Sequence, residues 1–224
     1  MPRKQFRKAL AVAFLAMAAL AYPAQAAAKS CANGYVALTF DDGPNPATTL
    51  RLLAALEDAD ARATFFTVGR NIDANPHLQR VTQGAGMWIA NHTYTHPNLT
   101  ELSRQEVFSE LVKTQVATVR VNRTWPTLFR PPYGATNAEI KAMAKRLGMT
   151  EVLWTVDSRD WAGVPSEEIR SRAAALQPGG IILLHDGIQN TIDAVPLIVS
   201  DLAERGLCAG RVGVRDGQPV AVAP

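Results

Sequence analysis

From Tyr35 onward, short apolar runs alternate with longer stretches of helical periodicity. Tyr35–Phe40, Ala63–Val68, Met87–Ala90 and Gly180–Leu184 are apolar or β-branched runs bounded by Gly, Pro or polar residues, the pattern of strands buried on both faces. Leu128-Phe129 is a shorter run stopped by two prolines, and Glu151–Val156 reads as one further strand. Between them lie amphipathic stretches. Thr48–Ala59 carries Leu50, Leu53 and Leu56 at helical spacing, and a helix is predicted from about Asn75 to Gly84. Ser103 with Glu106 forms a capping box at the head of a helix reaching about Val121. Asn137–Leu147 ends at the stop signal Gly148, Ser166–Leu176 reads as a capped helix, and Thr191–Arg205 is the last helix. The Gly- and Val-rich tail from Leu207 reads as a covering strand.

Strand–helix alternation predicts a parallel α/β architecture, closer to a barrel than to an open sheet. The polar residues add a second pattern. Asp41-Asp42, His92 and His96, Arg130, Asp157 with Asp160, and His185 all fall at or just beyond the C-terminal ends of predicted strands. In parallel α/β barrels that rim is where active sites are built. His77, Trp88, Trp125 and Trp154 fall outside this pattern; His77 is read as surface, Trp88 and Trp154 as core, and Trp125 as a loop residue.

The first 26 residues change the electrostatic picture. Arg3, Lys4, Arg7 and Lys8 precede an apolar run from Ala9 to Ala21, and Ala24-Gln25-Ala26 offers a small-x-small cleavage site. That is the pattern of a secretory signal peptide covering residues 1–26, too short in its apolar run to span a bilayer comfortably. Without those four positive charges the formal +3 of the chain becomes −1. A near-neutral product gives no argument for nucleic acid or an anionic membrane as partner. Residues 27–224 then read as one domain, without repeat, linker or internal boundary, exported and expected to be monomeric. Cys31 and Cys208, the only cysteines, suggest a disulfide fastening the two ends; two free thiols is the other reading.

Two adjacent carboxylates at a strand mouth repel each other and are costly to desolvate unless a cation or protons neutralise them. Because neighbouring side chains diverge there, one can bind a metal while the other stays free as a base; an Asp-Asp-Gly turn is the plainer reading. His92 and His96, four apart, can present two imidazoles to one point from a helix or a tight loop, and with one Asp they supply the set of a catalytic metal site. Alone, the pair reads as two surface histidines near a proline.

Taken in order, Thr39-Phe40-Asp41-Asp42-Gly43, His92-Thr93-Tyr94-Thr95-His96, Arg130-Pro131-Pro132-Tyr133-Gly134, Asp157-Ser158-Arg159-Asp160-Trp161 and Leu183-Leu184-His185 resemble the five motifs of the polysaccharide deacetylases, the NodB homology family or carbohydrate esterase family four. The resemblance spans roughly Gly34 to Gly210, and its finer wording looks most like small secreted acetylxylan esterases. It implies a distorted (β/α) barrel of the NodB type, with the active site at the C-terminal strand ends. It also implies one divalent metal, zinc or else cobalt, held by Asp42, His92 and His96. Asp41 would be the general base toward a metal-activated water, Arg130 its orienting partner, His185 the general acid and Asp160 the partner of His185. The backbone N–H of Tyr133 would hold the oxyanion, and Trp161 with Leu183 the acetyl methyl. Taken singly, Arg130 could instead satisfy a strand end and Trp161 and Leu183 could be core. Asp157 is read as structural.

The function expected from this set is hydrolysis of O-acetyl esters of acetylxylan. Two other readings remain open: N-deacetylation of chito-oligosaccharides or peptidoglycan, and an inactive glycan-binding barrel.

Overall fold

The strand that carries the two carboxylates is also the centre of the sheet. β1 (Tyr35–Asp41) pairs in parallel with β2 (Thr64–Thr67) on one edge and β7 (Ile181–His185) on the other. The computed structural model describes residues 31–224; the segment read as a signal peptide lies outside the described residues. From β2 the parallel order continues through β3 (Trp88–Asn91), β4 (Leu128–Phe129) and β5 (Thr150–Glu151), and beyond β7 lies β6 (Val156–Asp157). The curled sheet stays open between β5 and β6, which makes a distorted, nearly closed barrel.

Side-chain alternation along β1 explains both layers of the core. Val36, Leu38 and Phe40 face outward, packing with Leu52, Leu53 and Leu56 of α1 (Thr49–Asp58) and with Val195, Ile198 and Leu202 of α7 (Gln189–Glu204). Ala37 faces the barrel interior with Phe66, Ala90, Val152 and Ile181. Thr39 and Asp41 share that inner face by period two. Leu50 departs from the predicted apolar stripe: it is exposed, and Leu52 takes its place inside. The remaining helices are α2 (Gly69–Ala74), α3 (Pro76–Gly84), α4 (Arg104–Asn122), α5 (Ala138–Arg146) and α6 (Ser166–Ala173). α2 was not expected from the sequence. α4 does carry the Ser103–Glu106 capping box, whereas α6 is entered from Pro165 without a side-chain cap.

Two further expectations are corrected. Glu151–Val156 is not one strand: its ends pair with opposite edges of the sheet, Glu151 with Phe129 and Val156 with Ile182. The residues between them turn their carbonyls inward, where the buried Arg130 guanidinium donates to Val152 O at 3.2 Å and Leu153 O at 3.3 Å. The tail is an antiparallel hairpin, β8 (Cys208–Arg215) and β9 (Gln218–Val222). Asp216 and Gly217 between them have φ of 53° and 75°, the two-residue turn that fits strand twist. β8 pairs with the first residues of β1, Tyr35–Ala37.

Cys31 and Cys208 are disulfide-bonded, closing a sequence separation of 177 residues. On the chain-entropy model such a loop is worth up to about 5 kcal/mol. The double variant Cys31→Ser/Cys208→Ser is therefore expected to lose about 2–5 kcal/mol in urea unfolding; an unchanged midpoint would show that the termini are held without it.

Candidate active site

Strand register assembles the site. Asp41 is the last residue of β1 and lies directly across from His185, the last of β7. On the other side Thr67 pairs with Asn91 and Asn91 with Phe129, so His92 and Arg130 emerge side by side one residue further on. Asp157 ends β6, opposite Leu183. All converge on a cleft of about 720 Å³ lined by Asp41, Asp42, His92, His96, Leu183 and His185, with Tyr133, Trp154 and Trp161 on its walls.

Asp41 is almost fully buried, and its Oδ1 accepts from Arg130 Nη1 at 2.8 Å. Arg130 has no exposed surface. The same Nη1 donates to Thr39 Oγ1 at 2.8 Å, and the guanidinium lies 4.1 Å from the Phe66 ring centroid. Burial pulls its pKa down, which the Asp41 charge and hydrogen bond oppose. The period-two alternation that puts Thr39 and Asp41 on one face thus gives Arg130 both of its β1 partners.

Asp42 points elsewhere, its backbone turned by φ of 72°. Its Oδ1 is buried without a hydrogen bond, yet lies 3.2 Å from His96 Nε2 and 3.5 Å from His92 Nε2. His92 Nδ1 is 2.8 Å from the Arg130 carbonyl, which can only accept. In the neutral imidazole that fixes the proton on Nδ1 and leaves the Nε2 lone pair facing Asp42. One ligand atom from each of Asp42, His92 and His96 lies within 4.8 Å of the others. An unpartnered carboxylate oxygen among imidazole nitrogens is what a divalent cation satisfies, so the residues fit such an ion. Burial raises the Asp42 carboxyl, but the imidazoles of His92, His96 and His185 bring it down to about 2. Burial lowers His96, favouring the neutral form that can ligate.

The histidines converge from a loop, not a helix. Thr93 and His96 adopt φ of 64° and 63°, a left-handed conformation that costs on the order of 1 kcal/mol per residue. Glu110 of α4 holds the loop, accepting from Tyr94 N at 2.8 Å, Thr95 N at 2.7 Å and Thr95 Oγ1 at 2.9 Å. Thr93 N is taken by Asn91 Oδ1 at 2.9 Å. Sequence reasoning missed Glu110, which looks like any carboxylate on a helix.

On the far wall Asp160, fully buried, is 2.7 Å from His185 Nδ1. It also accepts from His185 N, Trp161 N and Thr191 Oγ1. Burial pulls His185 down, but the Asp160 hydrogen bond and charge, with the charges of Asp41 and Asp42, push it up to about 9. Asp157 Oδ1 accepts from Arg159 N at 2.8 Å and Trp161 Nε1 at 3.3 Å, fixing the exposed Trp161 ring at the rim. Tyr133 stands at φ 60°, its ring edge-on to His96 at 4.8 Å. Trp154, expected in the core, is half-buried and lines the cleft, 5.6 Å from the Arg130 guanidinium. Gly134 explains its placement: a Cβ there would meet the Trp154 ring at 3.0 Å. Trp88 is also only half-buried, and Trp125 is exposed and does not line the cleft.

Comparison with known proteins identifies the family. Residues 29–152 match the family model described as polysaccharide deacetylase. A family 4 carbohydrate esterase from Streptomyces lividans, solved with acetate, superposes with a TM-score of 0.82 at 45% identity, covering 86% of this chain and 98% of that one. The bifunctional xylanase/xylan deacetylase of Cellvibrio japonicus is 40% identical over 190 residues, 84% of this chain and 29% of its own length. A peptidoglycan-N-acetylglucosamine deacetylase of Listeria monocytogenes is 35% identical over 182 residues, 80% of this chain and 38% of its own. The chain therefore spans about a third of these two relatives, but nearly the whole of the esterase. The open barrel, the Asp-His-His cluster beside a buried Arg–Asp pair, and these matches make the chain a member of the polysaccharide deacetylase family.

Proposed function

We propose that this chain is a secreted, metal-dependent carbohydrate deacetylase, acting as a monomer on O-acetyl esters of xylan. One observation carries the reading: the Asp42–His92–His96 cluster has a buried carboxylate, Asp41, on one side and a carboxylate-paired imidazole, His185, on the other, in a single cleft. Ester hydrolysis needs a base where water attacks and an acid where the alcohol leaves. Neither belongs to an inactive glycan-binding barrel.

Asp42, His92 and His96 would hold a divalent cation, zinc or cobalt. Such an ion lowers the pKa of water and polarises an acyl carbonyl. Asp41, held in place by Arg130, accepts a proton from the water attacking the acetyl carbon. The Tyr133 backbone N–H donates to the oxygen as negative charge develops there. As the bond from carbon to sugar oxygen breaks, His185 Nε2 gives its proton to that oxygen, releasing acetate and a sugar hydroxyl. Asp160 holds Nδ1 and so aims Nε2 into the cleft. Leu183 and Trp161, joined by Trp154, offer the apolar surface for the acetyl methyl.

The xylan assignment is supported by the esterase likeness over almost all of that chain and by the xylan-deacetylase relative. Export is supported by the Cys31–Cys208 disulfide. Among the described residues no helix is long and apolar enough to cross a membrane.

Acetate release from acetylxylan and from chito-oligosaccharides, measured side by side, tests the reading. Chelation is expected to abolish release from acetylxylan, with zinc or cobalt restoring it. His92→Ala should bind zinc at least 100-fold more weakly in a competition titration and stay inactive when supplemented. Chelator-resistant release would overturn metal dependence, and release from the chito-oligosaccharides alone would transfer the activity to N-acetyl groups.

A further inference from the structure

The cleft is rich in carboxylates, with Asp41, Asp42, Asp157 and Asp186 on its surface, and Arg70 is the one Lys or Arg among its described lining residues. Arg70 is exposed and has no ion pair or side-chain hydrogen bond with any described residue. Its backbone, by contrast, is fixed. Arg70 N donates to Tyr94 O at 3.0 Å and Gly69 N to Thr93 O at 2.9 Å, tying α2 to the histidine loop. The neighbouring Asn71 Nδ2 donates to Asp42 O at 2.8 Å. Gly69 allows this approach, since a Cβ there would collide with the Tyr94 ring.

The other arginines nearby are committed. Arg130 is spent on Asp41, Thr39 and two carbonyls, and Arg159 lies over the Trp161 ring at 5.5 Å. Arg70 thus presents unspent guanidinium donors to the cleft from a rigid base beside the Asp42–His92–His96 cluster. A guanidinium fork pairs with a carboxylate through two parallel hydrogen bonds, which the hydroxyl and acetyl groups of a sugar chain cannot match. Were Arg70 only a counter-charge for the cleft's own acids, it would sit against one of them, and it does not.

We infer that Arg70 is a specificity residue for acidic polysaccharide: it pairs with a carboxylate carried by the chain close to the acetylated sugar. The inference rests on the deacetylase reading and deepens it. Two sources present this chemistry, a uronic acid branch on xylan and the lactyl carboxylate of a muramic acid residue.

The experiment compares acetate release from acetylated glucuronoxylan with release from the same polymer after carboxyl reduction. Peptidoglycan glycan strands freed of stem peptide, so that the lactyl carboxylates are ionised, form the second arm, both unreduced and carboxyl-reduced. The protein is expected to prefer one acidic polymer over its reduced form by about tenfold in kcat/KM, and the arm showing the preference identifies the source. Arg70→Gln should bring that ratio close to one, with Arg70→Lys intermediate because it keeps charge but loses the fork. Calorimetric binding of deacetylated oligosaccharides from both polymers supplies a readout independent of turnover, and Arg70→Gln should weaken binding of the preferred one about tenfold. A ratio near one in the unsubstituted protein, or one unmoved by Arg70→Gln, overturns the inference. Arg70-dependent binding without acetate release from any polymer would instead sink the deacetylase reading and leave the carboxylate contact standing.

Discussion

Asp41→Asn is expected to lower acetate release from acetylxylan by about 10³-fold while zinc affinity stays within a few-fold. The asymmetry follows from the divergence of the two carboxylates. Asp42 Oδ1 faces the two imidazole Nε2 atoms, whereas Asp41 gives Oδ1 to Arg130 at 2.8 Å, leaving Oδ2 for a proton. Loss of a positioned general base is worth about 10²–10⁴ in rate. The same substitution also leaves the Arg130 charge, wholly buried, without its carboxylate. Removing one partner of a buried pair costs about 3–5 kcal/mol, and the retained amide oxygen keeps Asn toward the lower end. Urea unfolding run beside the kinetics separates the two effects. Asp41→Asn combined with Arg130→Met should regain stability relative to Asp41→Asn alone, yet stay inactive. Full activity in Asp41→Asn, with zinc bound, would remove Asp41 from the role of base.

Those two carboxylates also show how far the sequence reaches. The apolar run Tyr35–Phe40 and the abrupt Asp-Asp-Gly-Pro that follows contain the strand, its end and the presence of polar groups at the rim. The sequence holds no sign that Asp41 would face His185 across the sheet, because register is settled between strands far apart in the chain. Glu151–Val156 misled for a related reason. Its local pattern is that of a strand, but its carbonyls serve a buried guanidinium from another segment, and long-range hydrogen bonding overrides propensity. Trp154 was misplaced with it: an aromatic in an apolar run looks like core unless the run is known to bend at a cleft. The left-handed backbones of Asp42, Thr93, His96 and Tyr133 are invisible to composition, since none is the glycine such a φ favours. They are held by neighbours such as Glu110 on α4, whose contact to the histidine loop no spacing rule contains.

The second large effect concerns the opposite wall. Asp160→Asn is expected to cut kcat/KM on acetylxylan by about 10²-fold at pH 7 and to move the alkaline limb of its pH profile down by more than one unit. Burial alone would hold His185 neutral; it stands at about 9 because Asp160 accepts from Nδ1 at 2.7 Å and supplies a negative charge, aided by Asp41 and Asp42. A cation at Asp42, His92 and His96 offsets the contribution of those last two carboxylates, so in the loaded protein Asp160 is the main support of the protonated imidazole. Replacing it with an amide leaves the burial penalty unopposed, and the fraction of His185 able to donate a proton falls. The sign for stability runs the same way. A pKa raised from about 6.5 to about 9 contributes stability that is complete below about pH 6.5 and lost as pH rises through about 9. Metal-free protein should therefore weaken between pH 6.5 and 9.5, by an amount on the order of 3 kcal/mol at most. Asp160→Asn should lose that dependence. Because Asp160 also anchors His185 N, Trp161 N and Thr191 Oγ1, lower stability by itself would be compatible with a purely structural role. The displaced alkaline limb would not, and a variant profile that overlays the original would rule out His185 as the proton donor Asp160 sustains.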